Sequence, residues 1–152
     1  MGSFAPLCPI DGYLPLEDYG LIGDGTTAAL VGRDGAIRWL CVPRFDASPL
    51  FCGVLDAARG GAFTVAPEDL VESRQFYEPD TGVLVTEMRG RSGVLRLTDA
   101  LTLRSGAKAP IVTTCFRRMT CSAPRSTLGG GGCGASTIMG RRSRLSAARR
   151  SR

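Results

Sequence analysis

Any acid–base or nucleophilic chemistry in this chain must proceed without imidazole, because none of its 152 residues is histidine. Ser–His–Asp and Cys–His catalysis, His-ligated zinc and histidine proton transfer are thereby excluded. Carboxylates remain. To cleave a glycosidic bond with inversion, two of them must face each other across the sugar, about 6.5–9.5 Å apart. Glu17 and Asp18 are adjacent and so point in different directions, and no other spacing marks such a pair. The six cysteines (Cys8, Cys41, Cys52, Cys115, Cys121, Cys133) form no CxxC pair, and no neighbouring base or helix end activates one of them. The run GGGGCGAS lacks the Gly-Lys-Ser/Thr ending of a phosphate-cradling loop. Gly23-Asp24-Gly25 lacks the alternating oxygen ligands of a calcium loop and reads as a turn. No metal or cofactor is expected.

The net charge of +5 sums two unlike parts. Residues 1–106 hold all 14 acidic side chains against 9 arginines, whereas residues 107–152 hold 10 basic side chains and no acid. A basic tail is a phosphate-binding signal, but Arg141, Arg142, Arg144, Arg149, Arg150 and Arg152 have no aromatic between them to stack on bases. No DNA-binding module precedes them, so no specific nucleic-acid partner is expected. A second reading competes. One lysine against 18 arginines points to a GC-rich gene, and Arg, Gly, Ala, Ser and Pro are what such DNA gives out of frame. The N-terminus lacks a basic n-region and an unbroken apolar run, so it is not a signal peptide. No apolar run approaches the roughly 18 residues that cross a bilayer. No membrane partner and a cytoplasmic location follow as expectations, with the cysteines as thiols.

The elements that would position such groups are mostly strands. Residues 1–15 are interrupted by Pro6, Pro9 and Pro15 and read as extended. Residues 27–31 (TAALV) and 36–42 (AIRWLCV) flank Gly32-Arg33-Asp34-Gly35, a hairpin signal that needs positive φ at its centre. Strict alternation there puts Ile37, Trp39 and Cys41 on one face, towards the core. Residues 48–58 (SPLFCGVLDAA) predict one short helix, with Ser48 as cap, Pro49 in the first position and Leu50, Val54 and Leu55 at helical spacing. Further strands are expected at 62–66, 74–77, 82–89 and 93–103, the last two turning at 90–93. Leu95, Leu97, Leu101 and Leu103 share a face of the last strand, interrupted by Asp99. Residues 111–119 can form another strand. The fold class expected is all-β, an antiparallel sandwich. It divides into an extended segment 1–15, a sandwich 16–122, and a disordered Arg/Gly-rich tail 123–152.

Residues 16–56, LEDYGLIGDGTTAALVGRDGAIRWLCVPRFDASPLFCGVLD, resemble the opening of bacterial family 15 glycoside hydrolases. These are glucoamylase-like and trehalase-like enzymes with a trehalase-like N-terminal domain. The similarity continues more loosely through Tyr77-Glu78-Pro79-Asp80-Thr81, residues 83–87 and Thr98-Asp99-Ala100-Leu101, and so covers about residues 10–106. Arg38 stands where that family usually has an acidic residue.

The resemblance implies a β-sandwich partnered by an (α/α)6 barrel, in which two glutamates invert an α-glucoside such as trehalose or a maltooligosaccharide. The expectation for this chain is an N-terminal domain that ends before the barrel would begin, is inactive alone, and carries no catalytic residue. The barrel, missing or separately encoded, is the expected partner, and the α-glucoside binds only the complete enzyme. The alternative is a free-standing carbohydrate-binding or assembly module. Trp39, Arg44 and Asp46 are the substrate-binding candidates in a complete enzyme. Against that stands the plainer and preferred reading, with Trp39 in the core and Arg44 and Asp46 bracing the loop after the strand. The resemblance fades where the arginine-rich tail starts, as a slipped frame would require. Shifted by two nucleotides, permissible codons for residues 136–142 give an Asp-Tyr-Gly segment like one the family carries there.

Overall fold

The computed structural model describes residues 3–91, 93–101, 115–122 and 135–139. The described residues form eleven strands: β1 (Ala5–Pro6), β2 (Tyr19–Gly23), β3 (Ala28–Gly32), β4 (Ala36–Cys41), β5 (Pro49–Cys52), β6 (Phe63–Pro67), β7 (Glu72–Tyr77), β8 (Leu84–Arg89), β9 (Val94–Leu101), β10 (Cys115–Ser122) and β11 (Ala135–Met139). All pairings are antiparallel. One sheet runs β1-β7-β8-β9-β10 and the other runs β11-β6-β4-β3-β2, with β5 added against β4. The expected all-β sandwich is present. Ile22, Ala29, Val31, Ile37 and Leu40 from the second sheet meet Leu84 and Leu101 from the first. Val65 meets Met88, Leu95 and Leu97 in a second cluster. The alternation on β9 holds from Leu95 to Leu101, with Leu95, Leu97, Asp99 and Leu101 all buried, and Leu103 lies outside the described residues. Among the described residues no helix is long and apolar enough to cross a membrane.

Two local expectations are corrected. Residues 48–58 form no helix: Pro49–Cys52 is a strand that pairs Trp39 with Cys52, Leu40 with Phe51 and Cys41 with Pro49. Turns follow, with Leu55 N and Asp56 N donating to Cys52 O and Gly60 N to Asp56 O. The apolar spacing reflects Leu50 and Phe51 packing on the core, and pairing with β4 outweighs a weak local helical preference. The only helical turn among the described residues is a 3-10 turn at Leu16–Asp18. Secondly, Arg38 is an extra residue in the β3–β4 ladder, since Leu30 pairs with Trp39 but Val31 pairs with Ile37. Such a bulge reverses the alternation beyond it. Ile37 and Leu40 therefore both enter the core, and Trp39 turns to the outer face with Leu30.

The hairpin at 32–35 forms as expected, closed by Gly35 N donating to Gly32 O at 2.9 Å. Its positive φ falls on Gly35 (75°), after the central pair and not within it. β2 was not legible in the sequence, although Ile22 is among its most buried side chains. In the tail, Ala135–Met139 runs as a strand along β6, and the other positions of 123–152 lie outside the described residues, as do 102–114.

Polar ties join the two sheets. Arg33 donates from Nε to Asp18 Oδ1 (2.6 Å) and from Nη1 to the carbonyls of Ser73 (3.0 Å) and Ala5 (3.2 Å). Gln75 reaches Val31 O at 3.2 Å. The Tyr77 hydroxyl accepts from Leu21 N and donates to Leu21 O, and so covers part of the exposed edge of β2.

Candidate functional site

The loop after β4 is built from the turn that precedes β3. Asp24 Oδ1 accepts from Thr26 N, Thr26 Oγ1 and Thr27 N, an arrangement that fixes a turn without a helix. Thr27 Oγ1 then donates to Cys41 O, and Phe45 N donates to Thr26 O. Within this frame Arg44 grips Asp46 with two bonds, Nε to Oδ1 at 2.9 Å and Nη2 to Oδ2 at 3.2 Å. The hydrogen bond to Arg44 holds the Asp46 carboxyl below its usual range, and the same bond raises the Arg44 guanidinium. Both side chains are more than half exposed, at 64% and 55%, and Phe45 between them is exposed as well. Trp39 is half-buried on the outer face of its sheet, opposite Leu30 and Cys52. The structure thus brings Arg44 and Asp46 together, and no hydrogen bond among the described residues links Trp39 to them. Arg38 bonds Asp34 Oδ2 at 2.6 Å.

Six other carboxylates are committed in the same manner. Asp18, Asp34, Asp56, Glu72, Glu78 and Glu87 each pair with an arginine. Asp56 is likewise lowered, chiefly by its hydrogen bond to Arg59. A general acid needs a carboxyl raised towards neutrality by an apolar pocket. Neither Asp46 nor Asp56 moves in that direction. Burial pushes the Cys41 thiol up, helped by the Asp46 charge and by Cys52, which opposes thiolate formation. No group of three or more Cys, Asp or Glu is placed to hold a metal among the described residues.

A second cluster, missed in the sequence, lies on the outer face of the five-stranded sheet. Arg74 and Phe76 of β7, Glu87 of β8 and Arg96 of β9 line a concavity of about 340 Å³ with Tyr77, Glu78 and Pro79. The signal for it was cross-strand: Arg74 is opposite Glu87, and Glu87 is opposite Arg96, a register the sequence does not print.

A family model described as trehalase-like, N-terminal, matches residues 11–143. The chain belongs to that family. This trehalase-like domain is 39% identical over 93 residues to a trehalase of Thermoplasma volcanium, covering 59% of this chain and 15% of that protein. It is 34% identical over 90 residues to a trehalase of Mycolicibacterium smegmatis, covering 59% of this chain and 13% of that enzyme. Trehalase 2 of Sulfolobus acidocaldarius is 37% identical over 86 residues, 57% of this chain and 14% of its own length. The chain therefore spans about one-seventh of the curated relatives that it matches. No solved structure matches significantly. The family match reaches beyond residue 106, where the resemblance read from the motifs fades, and takes in β10 and β11.

Proposed function

We propose that these residues form the non-catalytic sandwich of a glycoside hydrolase family 15 enzyme that inverts α-glucosides such as trehalose or maltooligosaccharides. The observation that carries this reading is the family match over residues 11–143. In such an enzyme the acid and base are two glutamates of an (α/α)6 barrel, and the sandwich is the rigid body packed beside it. The pairing of Asp18, Glu78 and Glu87 with arginines favours a supporting role for those residues, because a carboxylate held by a guanidinium is a poor proton donor. The loop with Arg44, Phe45 and Asp46 is the segment proposed to approach the sugar or the barrel. Its bidentate pair is pre-oriented, and its aromatic ring is exposed. The location proposed is the cytoplasm, where Cys8, Cys41 and Cys52 remain the free thiols they are here.

The test is a chimera. The 93 matched residues of the Thermoplasma volcanium trehalase are replaced by their counterparts from this chain. Trehalose hydrolysis is expected to disappear when the stretch is deleted and to return in the chimera. A soluble, folded chimera as inert as the deletion would contradict the reading.

A further inference from the structure

We propose that the concavity on the outer face of the five-stranded sheet binds a neutral carbohydrate of about two sugar units through Phe76, Arg74, Arg96, Glu78 and Glu87. The site is built by strand alternation. Glu87 is held by Arg74 from one side, Nε to Oε2 at 2.7 Å, and by Arg96 from the other, Nη1 to Oε1 at 3.4 Å. Arg96 also donates from Nη2 to Glu78 Oε1 at 2.8 Å. Phe76 is the floor of this frame, with the two guanidinium carbons 5.7 and 5.9 Å from its ring centroid. The space, about 340 Å³, falls at the lower end of small-ligand pockets.

Charge selects the ligand class. Two guanidiniums and two carboxylates cancel, so an anion would meet Glu78 and Glu87 and a cation would meet Arg74 and Arg96. A neutral polyol meets neither penalty. Its hydroxyls can donate to carboxylate oxygens and accept from guanidinium N–H groups, of which each arginine carries five. Its C–H face can lie against an aromatic ring, an apolar surface that water solvates poorly. The ion pairs also hold the long side chains in place before binding, which lowers the ordering cost of making those bonds. This groove stands apart from the loop carrying Arg44 and Asp46, and its existence does not depend on the catalytic partner proposed above.

The experiment is titration calorimetry of the full chain with maltose, with inorganic phosphate as the anionic probe. Maltose is expected to bind in about the millimolar range, and phosphate is expected neither to bind nor to compete. Phe76→Leu keeps apolar cover over the sheet and removes the aromatic face, and it is expected to weaken maltose about tenfold. Glu78→Gln, a partly exposed change that leaves the strands intact, is expected to weaken it about threefold. Thermal melts of both variants report whether they fold. Absence of maltose binding by the wild type, undiminished binding in folded Phe76→Leu and in Glu78→Gln, or displacement of maltose by phosphate would overturn the proposal.

Discussion

Replacing Arg33 with methionine is expected to lower the unfolding free energy by about 3–5 kcal/mol, the range for removing one partner of a buried ion pair. Arg33 and Asp18 side chains are only 15% and 11% exposed. The guanidinium does three things at once. It neutralises Asp18, ties the β3–β4 turn to Ser73 of the other sheet, and holds β1 through the Ala5 carbonyl. Methionine fills much of the volume but leaves the Asp18 carboxylate buried without its cation, together with the carbonyls of Ala5, Ser73 and Pro6, which lose a donor. Adding Asp18→Asn to Arg33→Met removes the stranded charge and should recover part of the loss, which separates charge burial from packing. Urea unfolding measures both: the midpoint falls for the single variant and partly returns for the double, with the slope unchanged. A single-variant loss below about 1 kcal/mol would show that the clamp does not bind the sheets together.

Gly35→Ala is expected to be comparably damaging, for a different reason. Gly35 has φ of 75°, and a Cβ built there would lie 2.2 Å from Val65 O and 3.0 Å from Met88 Cε. The carbonyl belongs to β6, whose Val65 N already bonds Gly35 O at 3.1 Å, so the strand cannot retreat without breaking that contact. Left-handed strain alone costs an alanine about 1–2 kcal/mol. Displacing a backbone strand adds overpacking strain of about 1–3 kcal/mol. Gly25→Ala is the control, because Gly25 has φ of 84° with nothing within 4 Å of the new Cβ. The expected order is therefore a modest loss at position 25 and a loss at least twice as large at position 35. Equal losses would mean that the turn does not press on β6.

The sandwich was legible where two strands and their turn are contiguous in sequence. Residues 27–42 and 82–101 each contain an alternating pair around glycine, and both became hairpins. What failed depended on partners distant in sequence. Pro49 and Leu50 carry a helix-start pattern, and only the proximity of Cys41, Leu40 and Trp39 makes their segment a strand. Trp39 was placed on the core face because strict period-two counting from Ile37 requires it. One inserted residue, Arg38, sends it outward, and bulges leave no composition signal. Ile22 was passed over because Gly20 and Gly23 dilute the alternation of Tyr19–Gly23, although Gly20 is there for close approach to Leu84.

The candidate loop was legible only in part. Arg44 and Asp46 are two residues apart in a turn closed by Ala47 N donating to Arg44 O, and that turn brings them into bidentate contact. Trp39 shared a motif with them, but no hydrogen bond among the described residues joins it to either. The Arg74–Glu87–Arg96 row was invisible because it spans three strands whose register is a property of the folded sheet.

The decisive assay incubates the purified 152-residue chain with trehalose and with maltotriose and measures released glucose. The two carboxylates whose shifts stand out, Asp46 and Asp56, are held low by arginines, opposite to the direction a general acid needs. Glucose no higher than in a protein-free blank is expected for both sugars. Glucose that rises in proportion to the chain's concentration, and vanishes when one of its own carboxylates is changed to an amide, would contradict it.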